Sequence, residues 1–394
     1  MLQYEGYSAH RKKSGGSRNG GKAHILAINK LAAKKPKLLE LDIVRAFAIL
    51  AVLVIHGSSE ATVEIPIGSV SQALYLGVNK FSNFAVPLFI FLSGLVLFYR
   101  YIDDWSGQQA VSFYLKRVKQ ILFPYLLWSV FYYAYDQWIY DPGNFHWDWQ
   151  ELLGMLPWSD ASYHLYFMVI IVQFYLVFPF LIWMCRTWKW FMNGLVIFGI
   201  AVQAASYSYE RWVQPFDHSA SLCVTYFSLF TLGGYIGVHY QAFATFIQKH
   251  IGWVMPLALL LGISFMGMFI LEQEGTVFSG IWYTLIFNLY PMFAAMSFIW
   301  LGRKLLKQAP KLSRVLSSLG AASFGIYLMH PALLSYWRQN IPHDTGGMME
   351  YHVFTMGAFL ISLFLPWLLV SFYGWVIRKL KPARRSSQPQ RGAT

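Results

Sequence analysis

Charge is scarce in this chain. Only 12% of its 394 residues are Asp, Glu, Lys or Arg, where soluble domains carry about 25%. That leaves no room for a large soluble domain. Cysteine is almost absent. Cys185 and Cys223 lie in or beside apolar segments, with no CxxC and no His/Cys cluster at metal-ligand spacing. Both read as packing residues, and no metal is expected. Rossmann, Walker and HExxH signatures are missing, as is any internal repeat of about 20–50 residues. The two halves show no inverted symmetry of the kind many transporters carry. The net charge of +13 comes without a nucleic-acid-binding motif, so nucleic acid is not an expected partner. A secretory leader is not expected either. The first apolar stretch follows a long polar segment, is interrupted by Glu40, Asp42 and Arg45, and has no small-residue cleavage site after it.

What the chain does have is apolar and aromatic bulk. Hydrophobic residues make up 56% and aromatics 19%, and the mean hydropathy is +0.42. The fold class that follows is an all-α integral membrane protein of the cell membrane, with the lipid bilayer as solvent. A spanning helix needs about 20 mostly apolar residues. Stretches at 38–57, 80–100, 120–140, 162–184, 188–206, 219–239, 252–271, 280–301, 315–336 and 353–377 meet that need, so about ten transmembrane helices are expected. Arg186–Thr187 marks a very short turn between the fourth and fifth. If the N-terminus is inside, every Lys and Arg falls on a cytoplasmic segment except Arg45, Lys80, Arg211 and Arg338. This bias places both termini in the cytoplasm. Residues 1–37 are expected to form a disordered basic tail, 38–377 the transmembrane domain, and 378–394 a second basic tail.

Two residues of the first span stand out. Arg45 and His56 both lie within LLELDIVRAFAILAVLVIHG. An ionised Arg in a membrane helix costs about 2.5–3.5 kcal/mol on insertion scales and is usually kept for a function. A guanidinium is always charged and grips phosphate bidentately. Arg45 therefore contacts an anionic donor from the cytoplasm, or it pairs with Asp42 one turn earlier. His56 sits about 16 Å further along the axis, at 1.5 Å per residue, near the outer end. There a histidine can act as general base toward a hydroxyl, or merely hydrogen-bond interfacial water. Glu60, one turn on, would orient the ring if the helix continues past Gly57.

His164, in YHLYFMVIIVQFYLVFPFL, and His330, closing FGIYLMHP, fall at a depth similar to that of His56. Three histidines on three helices could line one outward cavity and contact substrate. Interfacial His and Tyr are also common with no such role. Lys116, Arg117 and Lys119 sit at the cytoplasmic mouth of the third span, where they serve either phosphate binding or ordinary positive-inside charge. Ser93, in FAVPLFIFLSGLVL, lacks a GxSxG elbow and reads as a packing hydroxyl beside Gly94.

The run ELDIVRAFAILAVLVIHG resembles the opening signature of the membrane acyltransferase 3 family: an Arg, ten residues, then a His in the first helix. VPLFIFLSGLVL, LKRVKQILFPYLLW and SFGIYLMHPALL are similar to later motifs of that family, and the resemblance runs from about 38 to 377. YHLYFMVIIVQFY is similar to the branch that modifies poly-N-acetylglucosamine and other surface polysaccharides. The resemblance implies transfer of an acyl group, acetyl or succinyl, from cytoplasmic acyl-CoA to a hydroxyl of a cell-surface or exported polysaccharide. It implies His56 as the catalytic residue, Arg45 and Arg117 as contacts to acyl-CoA, a carbohydrate acceptor, and a polysaccharide synthase as a partner. Many members carry a second Arg four residues before the third-helix Pro; Gln120 stands there, so only Arg117 is carried over. A transient acyl-histidine stays open. The alternative is a non-enzymatic transporter or exporter of polysaccharide or precursor. The prolines at 124, 179, 256, 291 and 366 supply the kinks that alternating access uses.

Overall fold

The helix expected over 38–57 begins at Glu40 in the computed structural model, which describes residues 35–343 and 347–380. The two basic tails lie almost wholly outside the described residues. The chain divides into two units, Met1–Lys37 and Leu38–Thr394, and only the second is described below. It is helical throughout, with no strand among the described residues. In chain order the helices are α1 (Glu40–Ser58), α2 (Ala61–Glu64), α3 (Val70–Phe81), α4 (Ala85–Tyr101), α5 (Gly107–Arg117), α6 (Phe123–Tyr140), α7 (Trp149–Met155), α8 (Tyr166–Thr187), α9 (Lys189–Asn193), α10 (Leu195–Trp212), α11 (Phe227–Val238), α12 (Tyr240–Gln273), α13 (Gly280–Gln308), α14 (Pro310–Asn340) and α15 (Met348–Leu380).

Among the described residues, seven helical segments are long and apolar enough to cross a membrane: Glu40–Glu64, Val70–Tyr101, Tyr166–Thr187, Tyr240–Gln273, Gly280–Gln308, Pro310–Asn340 and Met348–Leu380. The chain is therefore a multi-pass membrane protein. The count differs from ten at three places. α6 is diluted by Tyr and Trp, whose polar tips lower its hydropathy. α10 carries polar residues, with Glu210 and Arg211 in its last turn. α11 is only 12 residues long, because the chain before it is taken up by 3-10 turns at Ser219–Ser221 and Cys223–Tyr226.

α1 lies at the centre, against α3, α4, α13, α14 and α15. Its apolar side chains Ile43, Val44, Ile49, Val52 and Leu53 are buried. Small residues bring the neighbouring backbones close. A side chain at Gly320 of α14 would overlap the carbonyl of Asp42, and one at Gly94 of α4 would overlap the carbonyl of Phe230 in α11. Peripheral helices instead turn large apolar side chains outward, such as Leu259, Leu260 and Ile263 on α12 and Leu365, Leu368 and Phe372 on α15. In water such faces would be costly; against lipid tails they are the expected surface. Cys185 and Cys223 are buried free thiols in the apolar core.

Candidate active site

The helical path of the first span does not stop at Gly57. α1 reaches Ser58, and the chain continues helically into α2. Asn79 of α3 holds this end, donating to the Ile55 carbonyl at 2.8 Å and to the Ser58 hydroxyl at 3.1 Å. Arg338 of α14 holds it from the other side. Its Nη2 donates to the His56 carbonyl at 2.9 Å and to the Ser59 hydroxyl at 3.3 Å, while its Nε meets Glu60 Oε2 at 2.7 Å. Glu60 therefore does not orient the His56 ring as the helical spacing suggested. Its carboxylate is taken by Arg338, and the pair clamps the turn that presents His56.

The His56 ring stacks obliquely with His330, 5.2 Å between centroids, and with Tyr163, 5.0 Å. His330 lies 5.7 Å from His164 in turn. His56 is half-buried, whereas His164 and His330 are 1% and 0% exposed. The three histidines thus form one group, in which only His56 keeps part of its exposure.

His330 does not end its helix. α14 continues through Pro331 to Asn340, and the proline explains the local geometry. Proline has no N–H, so the carbonyl four residues back loses its backbone donor. That carbonyl belongs to Tyr327, and His330 Nδ1 takes it at 2.8 Å. Because a carbonyl only accepts, Nδ1 carries the proton and Nε2 is the basic nitrogen. The next rung is opened too. The Tyr132 hydroxyl donates to the Leu328 carbonyl at 2.7 Å and accepts from the Ala332 N–H at 3.3 Å, so it is inserted into the α14 ladder. His164 precedes α8 in a turn, with Nδ1 at 3.1 Å from the Ser162 hydroxyl, and its own carbonyl accepts from the Tyr327 hydroxyl. Nε2 of His164 and Nε2 of His330 are both buried with no hydrogen-bond partner. Buried polar atoms are nearly always satisfied, so two orphans beside a third imidazole indicate a place for a polar ligand. No group of His, Cys, Asp or Glu among the described residues is arranged to hold a metal ion.

Toward the other end of α1, Arg45 Nη1 pairs with Asp42 Oδ1 at 2.7 Å, and the Arg45 side chain keeps 30% of its exposure. The sequence left open a donor contact or this pair; the pair forms, and part of the guanidinium remains accessible. Arg117 closes α5, where the helix widens to a π turn at Val118–Leu122. Such turns re-aim side chains and are frequent at functional sites. The guanidinium stacks over Phe113 at 5.1 Å and Tyr175 at 4.9 Å, and its Nε is buried without a partner. Lys116 and Lys119 are exposed.

Sequence reasoning missed Tyr163, Tyr132, Tyr327 and Arg338. The signal for Arg338 was present, since it is one of the few cations off the basic side of the chain. The tyrosines are unremarkable in a sequence that holds 25 of them.

Comparison with known proteins finds relatives of the chain as a whole. A model of the acyltransferase domain of the membrane acyltransferase 3 type matches residues 38–371. A probable poly-β-1,6-N-acetyl-D-glucosamine export protein of Staphylococcus epidermidis is 26% identical over 310 residues, covering 76% of this chain and 82% of its own length. Its counterpart in Staphylococcus aureus (strain MSSA476) is 23% identical over 309 residues, covering 75% and 82%. No solved structure matches.

Proposed function

The chain belongs to the membrane acyltransferase 3 family, and on that footing we propose that it moves an acyl group, acetyl or succinyl, from cytoplasmic acyl-CoA to a hydroxyl of an exported N-acetylglucosamine-type polysaccharide. One observation carries the reading: a half-buried His56 stands over two buried histidines with unpartnered Nε2 atoms, about 16 Å up one helix from Arg45. An acyl-CoA is a long ligand with phosphates at one end and a thioester at the other. Arg45 and Arg117 would take the phosphates, since guanidinium forks match phosphate oxygens. The pantetheine arm would run along α1 toward His56. His56 would take the proton of the acceptor hydroxyl as its oxygen attacks the thioester carbonyl. The C–S bond then breaks, and the proton passes to the departing CoA thiolate. The orphan Nε2 atoms of His164 and His330 would accept hydrogen bonds from acceptor hydroxyls.

The topology that suits this chemistry has ten crossings, with α6, α10 and the α11 segment completing the seven long spans and both termini cytoplasmic. The Lys and Arg distribution supports it. It puts the donor arginines on the cytoplasmic side and the histidines on the outer side. A polysaccharide synthase delivering the growing glycan would be the natural partner.

A second reading is favoured by the relatives' printed name, which is that of an export protein. Here the chain would carry glycan across the membrane without consuming acyl-CoA. Purified protein in proteoliposomes, given acyl-CoA inside and an N-acetylglucosamine oligomer outside, separates the two. Transfer releases free CoA and adds acyl mass to the oligomer. Glycan movement without CoA release would replace transfer by export.

A further inference from the structure

The histidine group is not the only polar feature at its end of the bundle. A cleft of about 300 Å³ opens among α10, α12 and α13. Gln203, Ser206, Tyr207 and Glu210 of α10 line it. Their spacing of three, one and three residues sets them on one helix face. Gln203 is fixed on both sides: its Nε2 donates to Asn288 Oδ1 at 2.7 Å and its Oε1 accepts from the Ser228 N–H at 3.0 Å. Asn288 in turn donates to the Thr284 carbonyl at 2.8 Å. These bonds build a rigid floor. Above it, the hydroxyls of Ser206 and Tyr207 and the carboxylate of Glu210 face the cleft with no hydrogen bond or ion pair among the described residues.

The cleft lies at the His56 end of the molecule. Asn79 of α3 binds the end of α1, its neighbour Lys80 sits over Phe269 of α12 at 4.2 Å, and Phe269 packs on Tyr283 of α13 at 5.2 Å. Tyr283 itself lines the cleft.

Polar side chains on membrane helices are expensive unless they face water or a polar ligand. Ligand pockets begin at about this volume, about 300–1,000 Å³. No cation lines the cleft, which disfavours phosphates and other anions. Hydroxyls, a carboxylate and side-chain amides suit a neutral molecule rich in hydroxyl donors, and the Phe265 ring at the wall suits its C–H face. We propose that this cleft is a second glycan subsite, which holds sugar units of the acceptor remote from the hydroxyl presented to His56. The proposal rests on the carbohydrate-acceptor reading above and deepens it: the enzyme binds a chain, not a single sugar.

The test is direct binding of an N-acetylglucosamine hexamer, and of the monosaccharide, to the full chain in nanodiscs, with CoA release measured in parallel. Tyr207→Ala combined with Glu210→Gln is expected to weaken hexamer binding about tenfold and to leave the monosaccharide unchanged. Ser206→Trp, which fills the cleft, is expected to do the same, so a folding fault in one variant does not decide the matter. Loss of hexamer affinity in both supports the cleft even where no CoA is released, in which case the transfer reading alone fails. Unchanged affinity in variants with wild-type melting, or no hexamer binding by the wild type, overturns the cleft even where CoA is released.

Discussion

His330 Nδ1 is bonded to the carbonyl of Tyr327 at 2.8 Å, the carbonyl that Pro331 leaves without a backbone donor. One missing N–H thus fixes the tautomer of a buried histidine beside the candidate base. Pro331→Ala restores a competing donor for that carbonyl and frees the ring to turn. A hydrogen bond of this kind is worth about 1 kcal/mol, so transfer is expected to fall roughly fivefold, with thermal stability unchanged or slightly raised. Steady-state kinetics of the variant check this. An unchanged turnover would show that the tautomer does not matter.

Arg338 joins the His56 carbonyl, Ser59 and Glu60. It acts through the turn that carries His56, as a positioning residue. Arg338→Lys keeps a positive charge but lacks the planar fork. It is expected to lower kcat about tenfold, in line with about 1.4 kcal/mol of lost geometry, and to leave the acyl-CoA KM alone. Glu60→Gln is expected to do less, because it leaves the two bonds from Nη2 in place. A rise in KM at constant kcat in Arg338→Lys would place this residue in substrate binding instead.

Arg45→Gln and Arg117→Gln are expected to raise the acyl-CoA KM by about 10–100-fold, the scale of a lost charge-assisted contact of about 1.5–3 kcal/mol. Acyl-pantetheine, which lacks the nucleotide phosphates, should serve wild type and variants equally well. A uniform loss with both donors would remove the arginines from phosphate binding. Arg117→Lys is not expected to rescue, because Lys cannot stack over Phe113 and Tyr175 as a planar group does.

Beyond the seven long apolar spans, His146 bonds Glu151 at 3.1 Å, and Glu151 also accepts from Tyr133 at 2.7 Å. The Glu151 carboxylate, with the Asn144 carbonyl, raises the His146 pKa above its ordinary value. The folded loop therefore binds the proton more tightly than the unfolded chain. Its stabilisation is complete below the ordinary histidine value of about 6.5 and is lost as pH rises through the raised one. Amide exchange across 141–151 should quicken over that interval beyond its chemical pH dependence, and His146→Gln should abolish the extra step. An identical profile in the variant would contradict it.

Much of this was legible in the sequence for specific reasons. Long apolar runs give helices whatever surrounds them, so α1, α8, α13, α14 and α15 were visible within about two turns, while α12 starts at Tyr240, twelve residues before the expected 252. α11 was not, because the 3-10 turns before it depend on contacts such as Gln173 with Cys223 and Ser221, which no local pattern encodes. At the site, loop charge suggested one depth for His56, His164 and His330. That their rings meet depends on how α1, α8 and α14 pack. Glu60 shows the limit: helical spacing put it beside His56, but a cation 278 positions later in the chain, Arg338, outcompetes the imidazole for its carboxylate.

The central claim is that His56 removes the acceptor proton. General-base catalysis contributes about 10²–10⁴-fold. The deciding measurement is acyl transfer to an N-acetylglucosamine oligomer by His56→Ala in proteoliposomes, followed by mass spectrometry, alongside binding of the oligomer. The account predicts loss of transfer by at least about a hundredfold with correct membrane insertion and retained oligomer binding. Full transfer by a folded His56→Ala protein would contradict it.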